Sequence, residues 1–231
     1  FGLFKEGVDD EDRRGSCAAG EPPASLCGAG GAEVIGFDIE NNLTKEENVK
    51  KIMESNIDSP YLINLFAIND HIEKNNNYYS PLHSPLKDFR NFLEINVTTL
   101  YSVCREFINT RDTGSIINFS SIYGLLSPDP NLYNPKSLKK IGYPVSKSAV
   151  ISLSNYLAVH YAPKFRINTL AIGGVLNKQP DTFIKKYSEK VPLRRMMDLE
   201  ELWPAIMFLL DPKNTYMTGS TLTIDGGFTI I

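Results

Sequence analysis

The amino-acid sequence predicts an α/β fold, a parallel sheet covered by helices on both faces. From residue 33 onward, apolar runs of strand length alternate with stretches of helical period. The chain has 231 residues, the size of one α/β domain. Hydrophobic residues make up 42% and charged residues 22%, which suits a globular core.

The elements follow in order. VIGFD (34–38) is an apolar run ending in an acid, the pattern of a buried parallel strand. Residues 44–54 carry Val49, Ile52 and Met53 at helical spacing, and Thr44 with Glu47 predicts a capping box. YLINLFA (61–67) predicts a second strand. Residues 86–109 predict one long helix, with Phe89, Phe92, Leu93, Val97, Leu100, Val103 and Phe107 on its apolar face. SIINFS (115–120) is a third strand. A loop over 127–142 holds Pro128, Pro130 and Pro135, and loops of this length are usually functional or mobile. A helix over 143–161 leads to the strand FRINTLAI (165–172). Residues 183–187 and 199–210 predict helices, and TLTI (221–224) a last strand before Asp225-Gly226-Gly227. This order implies a doubly wound parallel sheet.

Residues 1–32 differ from the rest. They hold seven of the 16 glycines and two of the three cysteines, with no Ile, Asn or Tyr. No apolar period of 2 or 3.6 runs through them. The segment reads as atypical: poorly ordered, or foreign to the remainder as a mis-read first strand and helix.

Several function classes are disfavoured. Net charge is −3 with scattered basic residues, which argues against nucleic acid. The longest apolar run is six residues, 205–210, far below the roughly 18 a membrane helix needs. No signal-peptide pattern opens the chain. Cys17, Cys27 and Cys104 make no disulfide framework and no CxxC pair, so a reduced, cytoplasmic setting is expected. His71, His83 and His160 lack metal-ligand spacing, and no metal is expected.

The chemistry centres on YPVSK (143–147). Tyr143 and Lys147 stand four apart on one helix face. A lysine cation beside a phenol favours phenolate and lowers the phenol from about 10, giving a usable proton donor and acceptor. Alone, the pair is equally well a solvated helix face. The preceding strand, however, ends in Ser120-Ser121 at the carboxyl edge of the sheet, where ligands bind in such folds. A serine there can hydrogen-bond a carbonyl oxygen.

With these residues in place, the chain resembles the short-chain dehydrogenase/reductase family in its single-domain branch. The matching stretches are Asn96-Val97, SIINFSSIYG (115–124), YPVSK (143–147), RINTLAIGG (166–174) and TGSTLTIDGG (218–227), in the family's order and covering 33–231. The stretch after Ser121 looks closest to a bacterial subgroup associated with flagellin and surface-sugar modification. The resemblance implies a Rossmann-like fold and a nicotinamide cofactor. It implies Tyr143 as acid/base, Lys147 lowering its pKa and holding the nicotinamide ribose, Ser121 orienting the substrate carbonyl, and Asn96 supporting a proton relay. It also places Asn64, Gly173 and Val175 at the cofactor.

The family's glycine-rich phosphate turn, TGxxxGxG, is not found. Gly28, Gly30 and Gly31 precede a strand instead of following one, so the first βα unit is atypical or missing. The family's NNAG turn stands as Asn64-Leu65-Phe66-Ala67, with two bulky residues. Between Asp38 and Tyr61 one strand–helix unit is absent, and Asn42-Leu43-Thr44 looks like the Asp-Leu-Thr after the family's third strand. Asp38, Asn42 and Leu43 are therefore candidates for the adenosine half. The Asp38 carboxylate would accept from ribose hydroxyls and repel a 2′-phosphate, which favours NAD over NADP.

The expected function is a nicotinamide-dependent interconversion of an alcohol and a carbonyl on a sugar nucleotide or polar metabolite. The alternative is a catalytically silent relative that acts as a binding or scaffold protein. The expected partners are a small-molecule substrate and further copies of the chain, as a homodimer or homotetramer. Helices 86–109 and 143–161 would meet through Leu100, Tyr101, Cys104, Ile151, Leu153, Tyr156 and Leu157.

Overall fold

A computed structural model describes residues 2–5, 33–36, 42–69, 71–72, 82, 84–133 and 138–231. Asp38 and Gly28–Gly31 lie outside the described residues.

The chain is α/β, with four parallel strands at its centre. These are β3 (Tyr61–Asn64), β5 (Gly114–Ser121), β7 (Phe165–Ile172) and β8 (Thr221–Ile224). Their register sets Asn64 opposite Asn118, Ser121 opposite Ile172, and Ile172 opposite Ile224. β5, β7 and β8 thus end level at the carboxyl edge, and β3 ends three residues short of Ser121. Beyond β3 the sheet continues differently. β1 (Gly2–Lys5) pairs antiparallel with β3, and β2 (Glu33–Gly36) antiparallel with β1. GLFK is too short for an apolar period to show, and it completes the sheet through backbone hydrogen bonds that any sequence can make.

Side chains alternate across the strands, so each strand feeds two cores. Leu62, Ile116 and Ile167 pack with Val49, Met53, Val103, Phe107, Val150 and Leu157. Those residues come from α1 (Glu46–Ser55), α2 (86–109) and α3 (Gly142–Tyr161). Ile63, Ile117 and Leu170 face the other way, toward Ile206 and Leu209. A third cluster lies around Tyr143 and includes Phe92, Tyr123, Tyr133, Tyr187, Val191 and Phe228.

Several elements differ from expectation. α1 begins at Glu46 after Lys45, with no side-chain cap; Thr44 Oγ1 donates instead to Asn42 Oδ1 at 2.7 Å, so no capping box forms. β3 stops at Asn64, and residues 65–69 leave the sheet. α2 is one helix only with a π-helical insert: Leu86–Leu93, the π stretch Glu94–Thr98, then Thr99–Asn109. The loop before α3 contains β6 (Leu138–Lys139), which pairs antiparallel with β4 (His71–Ile72). α4 (Asp181–Lys190) is longer than its apolar residues suggest. Residues 199–210 divide into a 3-10 turn, Leu199–Leu202, and α5 (Trp203–Leu210), with Pro204 at the junction.

The proposed self-association residues are also corrected in part. Leu100, Cys104 and Leu157 are buried in the chain's own core, and Leu153 packs against it. Tyr101 and Tyr156 remain on the surface, 44% and 61% exposed. Among the described residues, no helix is long and apolar enough to cross a membrane.

Candidate active site

Three strand ends and the start of α3 build the site. The Ser120 hydroxyl donates to the Lys147 carbonyl at 2.7 Å, which fixes the end of β5 to α3. Gly124 permits the approach, because a Cβ there would lie 2.5 Å from the Ser120 oxygen and 2.8 Å from the Lys147 carbonyl. α3 starts against Phe92 of α2. A Cβ at Gly142 would fall 2.5 Å from that ring, so only glycine lets Tyr143 follow at this depth.

Tyr143 is buried with its hydroxyl close to Ser121. Ser121 Oγ accepts the Tyr123 N–H at 3.2 Å. Lys147 follows one helical turn after Tyr143, and its Nζ donates to the Phe119 carbonyl at 2.8 Å. The Lys147 Nζ lies 5.9 Å from the centre of the Tyr143 ring. The electrostatics correct the expectation of a lowered phenol pKa. Burial pushes Tyr143 above its usual 10, and the nearby Ser121 hydroxyl offsets only part of this. Burial also brings Lys147 down to about 8. Desolvation of the charged form is the leading cause for both groups.

Asn96 lies in the π stretch of α2, fully used. Its Oδ1 accepts the Ile68 N–H at 2.8 Å, and its Nδ2 donates to the Ile68 carbonyl at 3.1 Å and to Ser146 Oγ at 2.9 Å. Ser146 Oγ in turn donates to the Tyr143 carbonyl at 2.8 Å. Asn96 therefore joins the chain after β3 to the first turn of α3. π insertions of this kind are frequent at functional sites.

Asn64 is buried at the end of β3, donating to Asn118 Oδ1 at 2.8 Å, while its own Oδ1 has no protein partner among the described residues. Gly173 leaves β7 beside Ser121's neighbour Ile172, its N–H bound to the Ile224 carbonyl at 2.8 Å. A Cβ at Gly173 would lie 2.9 Å from Asp225 Cα. The Gly174 N–H donates to Tyr187 Oη at 2.6 Å, and Val175 bridges to Met197. A cavity of about 160 Å³ opens here, lined by Gly173, Gly174, Tyr187, Met196, Ile224 and Asp225 among others.

The structure thus brings together Ser121, Tyr143, Lys147 and Asn96, with Asn64, Gly173 and Val175 at the neighbouring strand ends. Asn42 and Leu43 stand just before the start of α1. Leu43 is buried with Val49 and Met53 under α1, which leaves only its backbone for a ligand. Asn42 makes the turn into α1 with a left-handed φ of 42°. The sequence reading missed Ser146, although it sits between Tyr143 and Lys147 on the same helix. It also missed the Tyr123–Tyr133 hydroxyl pair, 2.8 Å apart, with burial holding Tyr123 up at about 12. The hydroxyls of a nicotinamide ribose suit this edge, where Lys147 presents its Nζ from the first turns of α3. A family model described as enoyl-(acyl carrier protein) reductase matches residues 18–229. The chain belongs to the short-chain dehydrogenase/reductase family.

Members of the short-chain dehydrogenase/reductase family are recognisable across both sequence and structure comparisons. The chain is 34% identical over 125 residues to the post-translational flagellin modification protein A of Campylobacter coli, covering 53% of this chain and 49% of that protein. It therefore spans about half the length of this relative. It is 29% identical over 204 residues to the glucose 1-dehydrogenase of Gluconobacter oxydans, covering 82% and 71%. Among solved structures, a short-chain dehydrogenase from Leptospira borgpetersenii with bound NAD+ superimposes with a TM-score of 0.71 at 28% identity, covering 81% of this chain and 73% of that one.

Proposed function

We propose that the protein is a nicotinamide-dependent oxidoreductase that interconverts an alcohol and a carbonyl on a sugar or related polar metabolite. The observation that carries this is the meeting of Ser121, Tyr143 and Lys147 at the carboxyl edge of the sheet. When bound, the nicotinamide nucleotide supplies or takes up the hydride. Ser121 Oγ hydrogen-bonds the substrate oxygen and sets its position. Tyr143 Oη gives that oxygen a proton in reduction and takes it back in oxidation. Lys147 Nζ, released from the Phe119 carbonyl or shared with it, holds the ribose hydroxyls. Asn96 keeps residues 65–69 and the first turn of α3 in register, so the proton-carrying oxygen stays in place. Asp38 inclines the site toward NAD over NADP. Similarity to the glucose 1-dehydrogenase of Gluconobacter oxydans supports a sugar-like substrate.

A second reading, a binding or scaffold protein without turnover, draws on Leu65 and Phe66. Phe66 packs against the helix-side core and Leu65 is 48% exposed, where the family's small turn would hug a cofactor. Titration with NADH and NADPH, followed by fluorescence, separates the two. Saturable binding, followed by turnover in a screen of sugar nucleotides against simple alcohols and ketones, is the expected result. Absence of saturable binding by either nucleotide would favour the scaffold.

A further inference from the structure

The geometry points to Lys139 as a second cation acting on the Tyr143 phenol, a positioning residue for the acid–base group. The inference rests on Tyr143 being that group in the proposed reaction.

Lys139 Nζ lies 4.6 Å from the centre of the Tyr143 ring, closer than the 5.9 Å of Lys147. Helical spacing does not explain this, since α3 begins only at Gly142. Long-range pairing does. The β4–β6 pairing sets His71 opposite Lys139, and the Lys139 ammonium donates to Asn69 Oδ1. Asn69 follows Ile68, which Asn96 grips through both backbone groups. The same asparagine that braces α3 therefore also fixes the segment that holds the Lys139 head group. The neighbouring Lys140 turns away and pairs with Asp88 of α2 at 3.0 Å.

A cation over an aromatic ring is attracted to its π face, and more strongly once the ring carries phenolate charge. Lys139 thus works with Lys147 against the burial that disfavours ionised Tyr143. Among the described residues, the other groups around Tyr143 are Ser121 from β5, Tyr123 and Tyr133 from the turns after it, and Tyr187 from α4. None of these brings a positive charge. Among the described residues, Asn69, the register neighbour His71 and Tyr143 itself stand around Lys139.

The test follows the Tyr143 phenol by 13C-tyrosine NMR during an alkaline titration, with its signal assigned from Tyr143→Phe. Lys139→Arg keeps a cation to beyond about pH 12, whereas Lys139→Met removes it. The Tyr143 midpoint should lie lower in Lys139→Arg than in Lys139→Met by about half a pH unit or more. Coinciding midpoints in two folded variants would overturn the inference. If Lys139→Met does not fold, Lys139→Gln keeps a stem and a donor for Asn69 while removing the charge. With nucleotide and substrate, the Tyr143-governed limb of the kcat/KM profile should move in the same order. A change confined to KM, with that limb unmoved, would make Lys139 a substrate contact and overturn its action on Tyr143. The phenol titration needs neither nucleotide nor turnover. An inactive wild type would therefore sink the oxidoreductase reading and leave the Lys139 result legible. Coinciding midpoints beside turnover lost in Tyr143→Phe would sink the Lys139 inference alone.

Discussion

Tyr143 and Lys147 are neighbours whose charges are both suppressed by burial, and this sets what single substitutions should do. Tyr143→Phe removes the proton carrier and keeps the packed ring. Turnover should drop by about two orders of magnitude or more, with nucleotide affinity nearly unchanged; steady-state kinetics and fluorescence titration read the two quantities separately. Near-normal turnover would place the proton transfer on another group. Lys147 gives a pH prediction. Its folded pKa of about 8 lies below the ordinary 10.5. Between those values the unfolded chain holds a proton that the folded chain has released, so the Lys147 contribution to stability rises with pH across that window. Below it, the folded state carries the cost of a buried cation. Denaturant melts of wild type and Lys147→Met, compared from pH 7 to 10.5, should show the wild type gaining on the variant as pH rises. A constant difference would mean that the lysine is not desolvated.

At the scale of elements, the site depends on α2 and α3 being locked to the chain that leaves β3. Asn96 makes three of those hydrogen bonds from inside the protein. Asn96→Ala leaves buried partners on Ile68 and Ser146 unsatisfied and should cost about 1–3 kcal/mol or more in urea melts. Turnover should fall further than stability alone explains, because Ser146 bonds the Tyr143 carbonyl. A loss below a few tenths of a kcal/mol would show that residues 65–69 find other partners. Much of this architecture was legible beforehand. FRINTLAI and TLTI coincide with β7 and β8, because Ile167, Leu170, Ile172, Leu222 and Ile224 are β-branched or apolar residues in runs of strand length bounded by turn residues. The π stretch and the β4–β6 pair were not legible. Neither changes the apolar period, and a two-residue strand carries no period at all.

For the molecule as a whole, self-association and nucleotide choice are the open proposals. The outer faces of α2 and α3 expose Tyr101 and Tyr156, with Val159 77% exposed beside them. Light scattering at micromolar concentration should give at least twice the mass of the chain, and Tyr156→Glu should shift the mass toward one copy. A single-copy mass in the wild type would remove the proposed interface. Nucleotide choice rests on Asp38. The wild type should favour NAD(H), and Asp38→Ala should narrow its kcat/KM preference over NADP(H). An unchanged ratio would assign discrimination to another residue.

The sequence by itself determined the α/β class, the order of the parallel strands' elements, and the grouping of Ser121, Tyr143 and Lys147 at one edge. The class and the order follow from apolar period and helical spacing; the grouping follows from the family resemblance that these motifs carry. Tertiary structure decided the rest. It turned GLFK into an antiparallel strand between β2 and β3, drew Leu43, Leu100 and Leu157 into the core, and carried Lys139 over the Tyr143 ring. It also reversed the expected direction for the phenol. Period reports which face of an element is apolar; it does not report which distant segment covers that face. The net pKa of a buried group depends on that cover, because desolvation is set by everything packed around it.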